Sequence, residues 1–207
     1  PFLLADAMVS ALLELGIAPR MATLLVIGIF LGSLFNVPVW RRGGAAVLEY
    51  RPSDFFGLGR LAPRLVQPGT RQVIALNVGG CLIPSIIVIY ELARLLDAGG
   101  DAPLHAVVAI ALNVAACYLM ARPVAGLGIL LPALVPGCLA ALVALVLAGG
   151  HAPPVAFCAG VLGPLIGADL LHIRDLGRRA GGLMSIGGAG TFDGIVISGF
   201  LATMLST

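Results

Sequence analysis

Residues 21–40 read MATLLVIGIFLGSLFNVPVW, and Arg41-Arg42 follow at once. An uncharged apolar run closed by a tryptophan and two cations is the pattern of a helix that crosses a bilayer and stops at its headgroups. Similar runs occupy residues 72–96, 105–120, 127–147 and 154–171, and a last one reaches the C-terminus. They are too long and too evenly apolar for the alternating strands of a barrel, and lipid admits only helices or closed barrels.

The composition agrees. Fifty-nine per cent of the 207 residues are hydrophobic, 11% are charged, and the mean hydropathy is +1.07. One soluble core could not hide so much apolar surface. The expectation is an all-α, polytopic membrane protein, a single transmembrane domain over residues 1–207 with about seven helices. The first run, residues 2–17, is ambiguous. Asp6, Ser10 and Glu14 recur every fourth residue, so this helix either lies in the interface or turns its stripe into the bundle.

All twelve cationic residues are arginine. The 41–72 segment carries six of them, with Phe55 and Phe56 between, and suits a cytoplasmic loop or a segment lying on anionic lipid. With that loop inside, Arg122, Arg174, Arg178 and Arg179 fall inside too, leaving only Arg20 and Arg94 outside. Ten against two orients the chain in the cytoplasmic membrane. No charged leader with a cleavage site precedes the first run, so no signal peptide is expected. The net charge of +2 gives no reason to expect nucleic acid; membrane lipids are the expected partners, and an oligomer is open. Cys81, Cys117, Cys138 and Cys158 lie singly in apolar runs and read as small core residues, and the scattered histidines suggest no metal site. No cofactor motif appears.

Ionisable groups at membrane depth are costly and therefore functional candidates. Glu91 and Arg94, three apart, are expected to pair. Asp169 and Asp193 remain. Asp169 closes the sixth run in Gly167-Ala168-Asp169, and Asp193 follows Gly187-Gly188-Ala189-Gly190-Thr191-Phe192. Three glycines in that stretch are poor helix and Thr191 is a good N-cap, so the last helix is expected to start late, near Thr191. Asp193 then sits in a first turn, level with Asp169. Two such carboxyls sharing one proton are what an aspartyl protease uses, with Asp169 as acid and Asp193 as base. Gly190 and Gly194 would let a substrate backbone approach, and Asn77 is a neighbour from the third run. A transmembrane peptide would be the substrate. A plainer alternative has Asp193 capping its helix and Asp169 bonded to loop amides. Others are an ion- or proton-coupled transporter or channel, its unwound 185–190 segment binding the ion, or a non-catalytic assembly subunit.

Gly-Ala-Asp-Leu-Leu at 167–171, Gly-Gly-Ala-Gly-Thr-Phe-Asp-Gly-Ile at 187–195, and Asn77-Val78-Gly79-Gly80 with Ile83-Pro84 carry a resemblance. The chain resembles an uncharacterised family of bacterial and archaeal membrane proteins, the domain of unknown function DUF1614. The resemblance implies family membership and no activity. A second similarity is to presenilin-like and prepilin-peptidase-like intramembrane aspartyl proteases, which carry one Asp on one helix and Gly-x-Gly-Asp on another. Here Ala168 precedes Asp169 and Phe192 precedes Asp193, which departs from that pattern.

Overall fold

Proline sets where most of the helices begin. After α1 (Phe2–Glu14), the helices α2 (Pro19–Gly32), α3 (Ile83–Ala98), α4 (Ala102–Met120), α5 (Val135–Ala148) and α6 (Ala152–Leu162) each carry one in their first turn. There the missing N–H leaves no bond unmade and the fixed φ suits the helix. α7 (Gly194–Leu205) follows a 3-10 turn instead. These elements belong to a computed structural model that describes residues 2–42, 72–124, 128–132, 134–173 and 183–207. Most of the arginine-rich 41–72 segment and residues 174–182 lie outside the described residues.

Three helical stretches are long and apolar enough to cross a membrane: Val78–Ala98, Ala102–Met120 and Val135–Leu170. The third would measure about 54 Å as one rod, far beyond a hydrocarbon core of about 30 Å. It does not run straight. Gly149 takes φ +49° and α6 packs back along α5, so the stretch is a helical hairpin. α2 and α7 are apolar but shorter.

The all-α expectation needs correction, because short strands cap one end of the helices. β1 (Asn36–Arg42) pairs antiparallel with β2 (Gln72–Asn77), and β2 pairs parallel with β5 (Leu183–Ile186). β3 (Arg122–Val124) and β4 (Gly128–Leu130) form a separate ladder. The 21–40 run is therefore helical only to Gly32. Pro38 cannot donate inside a helix, and Val37 and Val39 favour extended backbone, so the run's second half becomes an edge strand. The 72–96 run likewise opens as β2 before Val78–Leu82 winds as a π-helix into α3.

One core cluster joins Met8 and Leu12 of α1 and Leu15 just after it to Val26 and Ile29 of α2, Ile87 and Val88 of α3, Phe157 and Val161 of α6, and Ile195, Val196 and Phe200 of α7. A second, between α4, α5 and α6, is nearly all alanine, which lets those backbones approach closely. On α1, Asp6, Ser10 and Glu14 are exposed, so the stripe faces away from the bundle and the bundle-facing alternative falls.

At the far end of α3, Glu91 is fully buried and Arg94 holds both its carboxylate oxygens, at 3.1 and 3.3 Å. The same guanidinium nitrogen donates to the Leu15 carbonyl, tying the end of α1 to α3. Arg94→Met should cost about 2 kcal/mol, because Glu91 would stay buried without its partner. Thermal unfolding in detergent checks this, and adding Glu91→Gln should recover part of the loss.

Candidate functional site: the carboxyl pair beneath the sheet

Beyond Leu162, α6 continues as a π-helix, Gly163–Leu170, which packs along α4. Gly167 makes that contact possible, since a Cβ there would lie 2.9 Å from Cys117 Cβ and collide with the Val114 carbonyl. His172 closes the segment. Its Nδ1 lies 3.2 and 3.0 Å from the Gly167 and Ala168 carbonyls, and its ring stacks on Tyr118 at 4.8 Å. Asp169 sits in this last turn, half-buried.

The opposing element starts from β5. Gly187, at φ +70°, turns the chain, and the 3-10 turn Gly190–Phe192 leads to Asp193, the N-cap of α7. Asp193 Oδ1 accepts from Ile195 N at 3.1 Å and Oδ2 from Ala189 N at 3.2 Å. The late start is therefore real, three residues beyond Thr191, and Asp193 takes the capping role expected of Thr191. Thr191 bonds sideways instead. Ser33 Oγ donates to Ile29 O at 2.6 Å, which uses its one hydrogen, so at 3.0 Å it accepts from Thr191 Oγ1.

Asp169 faces the Gly187 backbone amide and lies within electrostatic reach of Asp193. The Cys81 thiol is within such reach of both carboxyls, and Ser85 Oγ donates to the Cys81 carbonyl at 2.7 Å. The two aspartates thus share one neighbourhood, built from the C-terminal end of one helix and the N-terminal end of another. Among the described residues no three His, Cys, Asp or Glu side chains gather as a metal ion would require.

The other expected site residues fare differently. Asn77 is fully buried, and its amide is consumed by protein: Nδ2 donates to Ser33 O at 2.9 Å and Asn36 Oδ1 at 3.2 Å, while Oδ1 accepts from Gly80 N at 2.7 Å. It pins three elements together beneath the site. Asn77→Ala should lower stability by about 2 kcal/mol by orphaning buried groups. Asn77→Asp should do no better, since a carboxylate would face Ser33 O and Asn36 Oδ1; melting temperatures in detergent decide both. At Gly190 the side that a Cβ would take is filled by Ser33: a Cβ would fall 2.5 Å from Ser33 Cβ. Gly194, by contrast, faces open space.

Sequence reasoning missed Ser33, Asn36, Thr191 as a bridge, and Cys81. Asn36 was the available signal, a lone amide flanking an apolar run as Asn77 does. Its Oδ1 accepts from both Asn77 and Ser185 Oγ, linking the three strands. The profile of a family described as a protein of unknown function (DUF1614) matches residues 30–205. The chain belongs to the DUF1614 family. The DUF1614 match includes every residue of the site from Ser33 to Gly194, whereas α1 precedes it. No curated protein and no solved structure matches the chain.

Proposed function

We propose that this DUF1614 protein is an intramembrane aspartyl endopeptidase of the cytoplasmic membrane. Its helices α2 to α7 make six passages, α1 lies in the interface, and the end carrying the sheet faces the cytoplasm. Orientation rests on the arginines: Arg41, Arg42 and Arg122 lie on strands that leave that end, and Arg174, Arg178 and Arg179 lead into β5. The observation that supports the chemistry is that two half-buried carboxyls on adjoining helix ends lie within electrostatic reach of each other. One carboxyl, protonated, hydrogen-bonds the scissile carbonyl oxygen. The other, ionised, takes a proton from the water that attacks the carbonyl carbon. The tetrahedral intermediate collapses as the nitrogen leaves protonated, which needs no cofactor. Gly194, beside open space, leaves room for substrate backbone at the Asp193 side. The test is cleavage of single-span reporter peptides by the protein and by its Asp169→Asn and Asp193→Asn forms. Cleavage that survives both changes ends the proposal.

A proton- or cation-conducting role has its own support. Asn113 Oδ1 and Ser198 Oγ, fully buried between α4, α6 and α7, have no hydrogen-bond partner among the described residues. Unpaired polar atoms at such depth suit a hydrated path. Proton or cation flux into sealed vesicles that stops with Asp169→Asn, in the absence of reporter cleavage, would select this reading.

A further inference from the structure

The register of the small sheet makes it amphipathic. Val37 pairs with Leu76, and a bulge at Val39 brings Trp40 opposite Ile74, so Val37, Trp40, Ile74 and Leu76 share one face. The other face carries Asn36, Pro38, Ala75 and Asn77, with Ser185 beside Ala75. Ile74, Leu76 and, on β5, Ile186 pack against the helical core, so the apolar face is turned toward the bundle. The sheet lies across the helix ends like an eave. β1 is its outermost described strand, and there the apolar face runs past the helices: Val37, Val39 and Trp40 are exposed, as are Leu34 and Phe35 just before, at 76% and 62%.

Neither bulk phase suits β1. Hydrocarbon excludes an extended strand whose outer backbone groups have no partner among the described strands, since each would cost several kcal/mol. Water disfavours five neighbouring exposed apolar side chains. The layer between headgroups and acyl chains accepts both, supplying water and phosphate esters to the backbone and hydrocarbon to the side chains. It is also where tryptophan is enriched, and Arg41-Arg42 follow directly in sequence. We infer that β1 is a membrane-surface element, lying flat in the interfacial layer of the leaflet with Val37 and Trp40 pointing toward the acyl chains. Asn36 pairs with Asn77, and β5 runs straight into the Gly187 turn, so this fixes the depth of the aspartates at the boundary of the hydrocarbon. The inference rests on the membrane reading of the helices and not on peptide hydrolysis.

Trp40 is the sole tryptophan, so the native chain reports on itself. The full protein is reconstituted in phosphatidylcholine–phosphatidylglycerol vesicles, with carbonate extraction confirming insertion. Trp40 emission is then quenched by lipids brominated near the headgroup, at mid-chain or at the chain end, and by aqueous acrylamide. The expected result is blue-shifted emission, quenching strongest from bromines nearest the headgroup, and partial quenching by acrylamide. Val37→Trp in a Trp40→Phe background should give the same profile, because the strand lies flat. Strongest quenching from the chain end would put β1 in hydrocarbon and overturn the inference. So would full acrylamide access without lipid quenching, which puts it in water. Shielding from both quenchers would mean that residues 43–71 cover the strand, and differing profiles at the two positions would mean that it does not lie flat. Reporter cleavage is scored separately, so failure here leaves the hydrolytic proposal standing, and the reverse.

Discussion

Gly187→Ala is expected to destabilise the protein by about 4 kcal/mol. Gly187 holds φ +70°, where an L side chain costs about 1 kcal/mol. Its missing side chain is also the space that Gly80 occupies. A Cβ at Gly187 would lie 2.6 Å from the Gly80 carbonyl carbon and 2.9 Å from Cys81 Cβ, and a Cβ at Gly80 would collide with the Gly187 carbonyl. Backbone faces backbone, so no side chain can swing aside. Overpacking of that kind costs about 3 kcal/mol, which with the strained φ gives about 4 kcal/mol. That is a large part of a typical folding free energy of about 5–15 kcal/mol. Monodisperse yield from detergent and the melting temperature measure it. Gly100→Ala is the control, because Gly100 also has positive φ but nothing within 4 Å of its Cβ. Its loss should be about 1 kcal/mol. Equal losses at the two sites would show that the close approach of the π-helix to the turn contributes little.

The second large effect separates capping from catalysis at Asp193. Asparagine caps helices as well as aspartate does, so Asp193→Asn keeps an oxygen for Ile195 N. It loses the bond from Ala189 N, at about 1 kcal/mol. A residue that only caps should therefore tolerate the change with a slightly lower melting temperature. A residue that takes a proton from water should not: the rate should fall by about 100-fold or more. Asp169→Asn should give a loss of the same size, and the double variant should fall little further, because the pair acts as one unit. Full cleavage by folded Asp193→Asn would reduce Asp193 to a cap and remove the hydrolytic proposal.

Much of the helical frame could be read from hydropathy, because lipid-exposed helices and buried ones are both apolar and their breaks fall at proline and glycine. The late start of α7 was legible for a local reason: the three glycines at 187, 188 and 190 oppose helix whatever surrounds them. The Glu91–Arg94 pair followed from spacing alone. The sheet was not legible. β1 and β2 are continuations of apolar runs, and nothing in hydropathy separates the helical Leu24–Leu31 part from the extended Val37–Trp40 part; Pro38 was the one cue. Pairing β2 with β5 joins residues more than a hundred positions apart, which no local pattern encodes. The roles of Gly190 and Asn77 turned on such contacts. The glycine pattern suggests room at Gly190, and Ser33, just past the end of α2, occupies the side that a Cβ there would take.

The π-helix that carries Asp169 has an angular consequence. A π turn spends five residues' spacing on each hydrogen bond where an α turn spends four, so Gly163–Leu170 holds slack that an ordinary helix lacks. Rewound as α-helix at its present length, the segment would no longer absorb that extra residue, and everything after it would swing by about 100° around the helix axis. Asp169 would leave the Gly187 turn for a neighbouring face while the bundle stayed whole. The winding at this point is therefore a dial on which way the carboxyl points, and chains wound differently there would share a scaffold without sharing a site.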